Sequence, residues 1–163
     1  MIGRPLPRLP FTPGFRPGSG KAGLSPSTQT VSHHAYQLYA HITWHTWKRV
    51  GCINGHVAAD VKNALESASR RGSVRILRSA VLADHVHVLA SYRPDTKLSD
   101  FIRLAKTISA FRANRRIPGA IKWARGFYVT SYHKKDLPFV AAYIRRQTAH
   151  HPDRIPQESR QVF

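Results

Sequence analysis

Acidic residues are scarce in this chain. Eight Asp and Glu stand against 26 Lys and Arg in 163 residues, for a net charge of +18. The acids, Asp60, Glu66, Asp84, Asp95, Asp100, Asp136, Asp153 and Glu158, lie scattered along the chain. That spacing argues against the carboxylate clusters that hold two metal ions in many nucleases. Cysteine is scarcer still: Cys52 is alone, which excludes an intrachain disulfide and a multi-cysteine zinc site and fits a reducing cytoplasm. No apolar run approaches the roughly 20 residues that a membrane helix needs, and the basic N-terminus lacks the apolar stretch of a secretory signal. A glycine-rich phosphate loop is also missing, so no nucleotide cofactor is expected. The expectation is a soluble, cytoplasmic protein without a membrane partner.

What remains in quantity is positive charge. A pI near 11.3 is the electrostatic footprint of a protein that meets a polyanion, because each neutralised phosphate releases counterions. The length suits one domain with a real core. Residues 1 to about 34 carry Pro5, Pro7, Pro10, Pro13, Pro17 and Pro26 with Arg4, Arg8, Arg16 and Lys21 and no acid, which reads as a disordered basic arm. The domain is expected over 35–151 and a C-terminal tail over 152–163.

Alternation begins after Ala35, with Tyr36, Leu38, Ala40, Ile42 and Trp44 on one face and Gln37, Tyr39, His41, Thr43 and His45 on the other. This is a half-buried first strand. Asn54 then precedes a helical pattern over Gly55–Arg71 that Gly72 stops. Ser73 to Leu82 and Val86 to Ser91 read as a second and third strand joined through Ala83-Asp84. A second helix follows Pro94-Asp95-Thr96, with Leu98, Phe101, Ile102, Ala105, Ile108 and Phe111 as its apolar stripe. Between Lys97 and Arg125 the charged residues are almost all positive, with Asp100 the one acid, and Arg103, Lys106, Arg112, Arg115, Arg116, Lys122 and Arg125 are the expected phosphate-facing set. Trp123 to Tyr132, particularly Phe127 to Tyr132, reads as a last strand or hairpin. Asp136 is a plausible N-cap for a third helix with Pro138 in its first turn. One stripe of that helix comprises Leu137, Val140, Ala141, Ile144 and Thr148; a second comprises Phe139, Tyr143, Gln147 and His150.

The chemistry centres on Asp84-His85-Val86-His87. Strand side chains alternate, so the two imidazoles point the same way and form either half a metal site or two histidines satisfied by hydrogen bonds. Tyr143 and Gln147, at i and i+4, project together from their helix. A phenol with a pKa of about 10 is a poor nucleophile without help. Two neutral imidazoles and an amide could hold one divalent ion that polarises a phosphodiester, and attack by Tyr143 would then leave a phosphotyrosine link and a free DNA hydroxyl.

In these pieces the stretch from Tyr36 to His151 resembles the single-tyrosine HUH transposases of small single-stranded-DNA insertion sequences, including the REP-associated tyrosine transposases. Four pieces match in order: His41-Ile42-Thr43-Trp44-His45, Asp84-His85-Val86-His87-Val88-Leu89, Trp123-Ala124-Arg125-Gly126-Phe127-Tyr128-Val129, and Tyr143-Ile144-Arg145-Arg146-Gln147. The resemblance implies an α+β fold, a ferredoxin-like antiparallel sheet packed with helices whose C-terminal helix carries the tyrosine. It implies that His85, His87 and Gln147 bind Mg2+ or Mn2+ and that Tyr143 is the nucleophile. It further implies a homodimer acting near the nucleoid on single strands with hairpin ends, cut to a 5'-phosphotyrosine and a free 3'-hydroxyl. Ala83 replaces the family's usual proline, and Phe127 a frequent tyrosine. A domesticated enzyme that processes chromosomal repeats and a non-catalytic single-stranded-DNA-binding module are the alternatives.

Overall fold

The computed structural model describes residues 36–157; the arm expected over 1–34 lies outside the described residues, as do residues 158–163. Four strands, β1 (Leu38–His45), β2 (Val74–Val81), β3 (His85–Tyr92) and β4 (Tyr128–Tyr132), form one antiparallel sheet in the order β2-β3-β1-β4. Helices α1 (Gly55–Arg71) and α2 (Leu98–Arg116) make the two crossovers. This βαββαβ arrangement is the ferredoxin-like fold that was expected. No described helix is long and apolar enough to cross a membrane.

The sheet has two unlike faces. Ala40, Ile42 and Trp44 of β1 and Val86, Val88 and Ala90 of β3 point to one side, where Val57, Val61 and Leu65 of α1 and Phe101, Ile102 and Ala105 of α2 close the main core. Each large side chain buried there contributes roughly 1.5–3 kcal/mol. Helix α1 starts where its signals place it, since the Asn54 side chain accepts from Val57 N–H at 3.0 Å. The stripe on α2 needs correction. Its buried residues continue through Ser109 and Ala113, while Phe111 is 64% exposed. Small side chains at those positions let α2 approach α1 closely, and Phe111 falls on the outer side of the helix.

On the opposite face, Leu89 of β3 packs against Val140 and Ile144 of α3 (Leu137–Arg145). Helix α3 begins after a tight turn, Lys134–Asp136, and the expected side-chain cap from Asp136 does not form. The helix also stops earlier than its periodicity suggests. Arg146, at φ −84° and ψ 0°, separates α3 from the short α4 (Gln147–His150), so the two predicted stripes do not share one axis. Residues 152–157, expected to begin a tail, return to the domain: Ala83 N–H donates to Arg154 O at 2.7 Å and Gly55 N–H to Gln157 O at 2.8 Å.

Candidate functional site

Antiparallel register places His45 opposite His85 and Thr43 opposite His87, so all four side chains share the face that α3 only partly covers. His85 and His87 are buried, and their rings stand 4.9 Å apart, edge to face. Alternation along β3 alone accounts for the pairing.

Each imidazole has a distinct partner. His85 Nδ1 lies 2.5 Å from Asp84 Oδ1, and Arg154 Nη1 donates to the other Asp84 oxygen at 3.0 Å. Arg49 Nη1 stands 3.9 Å from that same oxygen. The carboxylate accepts the Nδ1 proton of His85, leaving its Nε2 lone pair available. His87 Nδ1 is instead 2.9 Å from Nε2 of His41, whose ring stacks on it at 5.1 Å. Burial, reinforced by the neighbouring His85 and His41, pushes His87 down to about 3, which keeps it neutral. Burial lowers His41 as well.

Two polar atoms here are buried without a hydrogen-bond partner, His87 Nε2 and Gln147 Oε1. Orphans of this kind cost about 1–3 kcal/mol each unless something satisfies them. Gln147 Nε2 donates weakly to Tyr143 O at 3.4 Å, which leaves the amide oxygen as the free end. Among the described residues no cluster of three or more His, Cys, Asp or Glu is placed to hold a metal, but two imidazoles and an amide oxygen fall outside that definition. Neutral nitrogen donors with an amide oxygen fit a divalent cation.

Tyr143 stands beside this pair. Its ring lies 5.9 Å from that of His87 and 6.0 Å from that of His41, edge-on to both, and it is 48% exposed. Phenol and imidazoles therefore meet within one chain, and Gln147 is buried just past the kink at Arg146. His151 stands 5.9 Å from His85 and His150 6.4 Å from Tyr143.

The basic set is not brought to this face. Most of it belongs to α2, across the sheet from His85 and His87, and several members have structural partners. Lys106 Nζ donates to Ala124 O at 3.0 Å and Gly126 O at 2.8 Å, and burial lowers its pKa. Arg116 forks onto the buried Asp60 at 2.9 and 3.0 Å. Arg103 lies 3.6 Å from Asp100. Arg112, Arg115 and Arg125 are exposed, and Lys122 stands 4.9 Å from the centre of the Trp47 ring.

His41, Asp84, Arg154 and Arg49 had no assigned role in the sequence. Asp84 was visible beside the histidines and His41 on the outward side of the first strand; the two arginines gave no comparable signal.

The sequence pattern of the family described as "Transposase IS200 like" matches residues 34–147. The chain is 25% identical over 121 residues to ISDra2 transposase TnpA of Deinococcus radiodurans, covering 70% of this chain and 86% of that protein. A crystal structure from Deinococcus radiodurans R1, designated a transposase, superposes with a TM-score of 0.57 at 23% identity, covering 74% of this chain and 98% of that one. The structure of a REP-associated tyrosine transposase bound to a REP hairpin gives a TM-score of 0.59 at 17% identity, covering 75% and 74%. These two likenesses carry the fold.

Proposed function

The chain belongs to the IS200-like transposase family, and from that premise we propose that it binds hairpin-bearing single-stranded DNA and cuts and rejoins it through Tyr143. The observation that carries the reading is the position of the half-exposed Tyr143 ring beside His87, whose buried Nε2 has no partner. Hairpin binding is supported by the likeness to a REP-associated transposase described with a REP hairpin.

His85, His87 and Gln147 would hold a divalent ion, Mg2+ or Mn2+, which when bound would supply Lewis-acid stabilisation of the charge on the scissile phosphate. Asp84 and His41, at the Nδ1 atoms of His85 and His87, would orient each Nε2 for the ion. Tyr143 Oη attacks phosphorus; the Oη–P bond forms as the P–O3' bond breaks. The phenol gives up one proton and the leaving 3'-oxygen takes up one, so the exchange is balanced. The bond energy stays in the 5'-phosphotyrosine, and attack by a 3'-hydroxyl reverses the step without a nucleotide cofactor. A DNA substrate supports a cytoplasmic location at the nucleoid. A homodimer belongs to this reading; β4, an edge strand with Tyr128 68% exposed, offers a surface for it.

The test is incubation with hairpin-bearing single strands from the gene's own flanks and Mg2+ or Mn2+. A covalent protein–DNA adduct is expected from wild type and none from Tyr143→Phe. An equal adduct from both proteins would show the assignment to be wrong.

A further inference from the structure

Between β1 and α1 the chain makes a tight turn, Trp47–Arg49, that its residue types do not favour. Lys48 and Arg49 have φ of +53° and +54°, a left-handed conformation that disfavours side chains other than glycine, asparagine and aspartate. Two such residues in succession persist only where surrounding bonds over-determine them. Those bonds are present. Trp47 N–H donates to Lys122 O at 2.7 Å and Thr46 N–H to Asp84 O at 2.8 Å. The Thr46 hydroxyl donates to Val50 O at 2.7 Å.

The turn holds out an aromatic ring and several cations. Trp47 is 44% exposed, with the Lys122 ammonium 4.9 Å from its ring centre. Lys48 is exposed and, among the described residues, has no carboxylate partner. Arg49 Nη2 lies 2.9 Å from His45 Nε2, and the His45 ring meets Tyr128 edge-on at 5.8 Å. Through Asp84, which touches both Arg49 and His85, the turn is built into the start of the histidine strand. An exposed indole with the Lys122 ammonium over its ring and Lys48 next in the chain has the chemistry of a single-strand subsite, in which a base stacks on the ring and cations hold the neighbouring phosphates. A duplex keeps its bases stacked internally and cannot use such a ring.

We propose that Trp47, Lys48 and Lys122 form a subsite that stacks one unpaired nucleobase and holds its phosphate at the turn that follows β1. This inference rests on the proposed action on single-stranded DNA and adds to it the surface that reads the strand as single. The turn's bonds to Asp84 tie the subsite to the residue that precedes His85.

The experiment uses the full chain, a mixed-sequence single-stranded oligonucleotide and the duplex of the same sequence. Wild type is expected to prefer the single strand, with quenching of the indole emission. Trp47→Ala should weaken single-strand binding about tenfold and leave the duplex within about twofold, while Trp47→Phe recovers part of the loss and abolishes the quenching. Lys48→Gly, which relieves the left-handed backbone, should raise Tm yet weaken single-strand binding and flatten its salt dependence. Equal losses on single strand and duplex would overturn the subsite, as would equal quenching by an acidic polypeptide. If Trp47→Ala binds single strands like wild type while wild type forms the Tyr143 adduct, the subsite alone falls. If wild type binds no DNA, the functional reading falls with it.

Discussion

The two faces of the sheet obey opposite rules. Under α1 and α2 the buried side chains are mostly apolar, the buried Asp60 and Ser109 have hydrogen-bond partners, and Trp44 Nε1 is left without one. Under α3 the burial includes Asp84, His85, His87 and Gln147, two of them with polar atoms left unsatisfied. The first face gains stability from the removal of apolar surface from water. The second retains buried polar atoms that cost stability unless something binds them, which is the physical mark of a site. Substitutions on the two faces should therefore separate folding from function.

The largest effect expected is on the helical side. Phe101→Ala should lower unfolding stability by about 3–5 kcal/mol, measured by denaturant melts, with activity lost only as the fold is lost. Retention of full stability would mean that this face is not the structural one. On the open side, His87→Ala should reduce divalent-ion binding and DNA cleavage by at least about a hundredfold while Tm stays level or rises; calorimetric titration with Mn2+ checks the binding directly. Asp84→Asn keeps the shape and weakens the acceptor for His85, so ion affinity should fall about 10–100-fold. An unchanged affinity would remove the orienting role of Asp84.

The contrast between the faces also shows through pH. His87 protonates near its ordinary 6.5 when unfolded and at about 3 when folded. Between those values the unfolded chain binds the extra proton, so stability falls as pH drops through the window and levels off below it. Melts of the ion-free protein from about pH 7 to about pH 4 should show this decline, and His87→Gln should flatten it.

Legibility in the sequence followed the same division. Periodicity alone reveals the apolar face, because Val57, Val61 and Leu65 or Ala40, Ile42 and Trp44 recur at the spacing of their elements. The paired histidines were equally readable, since alternation in β3 needs no tertiary knowledge. What stayed hidden depends on contacts across long stretches of chain. Nothing local in Arg154 indicates that it meets Asp84, and nothing in Lys106 that its ammonium donates to two backbone carbonyls. The helix around Tyr143 looked continuous because Arg146 is an ordinary helix former. Lys48 and Arg49 adopt left-handed backbone without the glycine or asparagine that would announce it.

The Arg154–Asp84 ion pair also determines how the molecule bears a pull. In the proposed reaction a DNA strand is tied to Tyr143 like a rope to a peg, and the peg is a helix of only nine residues, too short to have much strength of its own. Before the kink, the helix is moored on Leu89 through Val140 and Ile144. Beyond it, Arg154 moors the chain at Asp84 and Ala83. Both moorings lie on β3 or immediately before it, the segment that carries the histidines. Tension on the strand is therefore carried into the scaffold of the histidines themselves, and a load that shifts the tyrosine shifts its chemistry along with it.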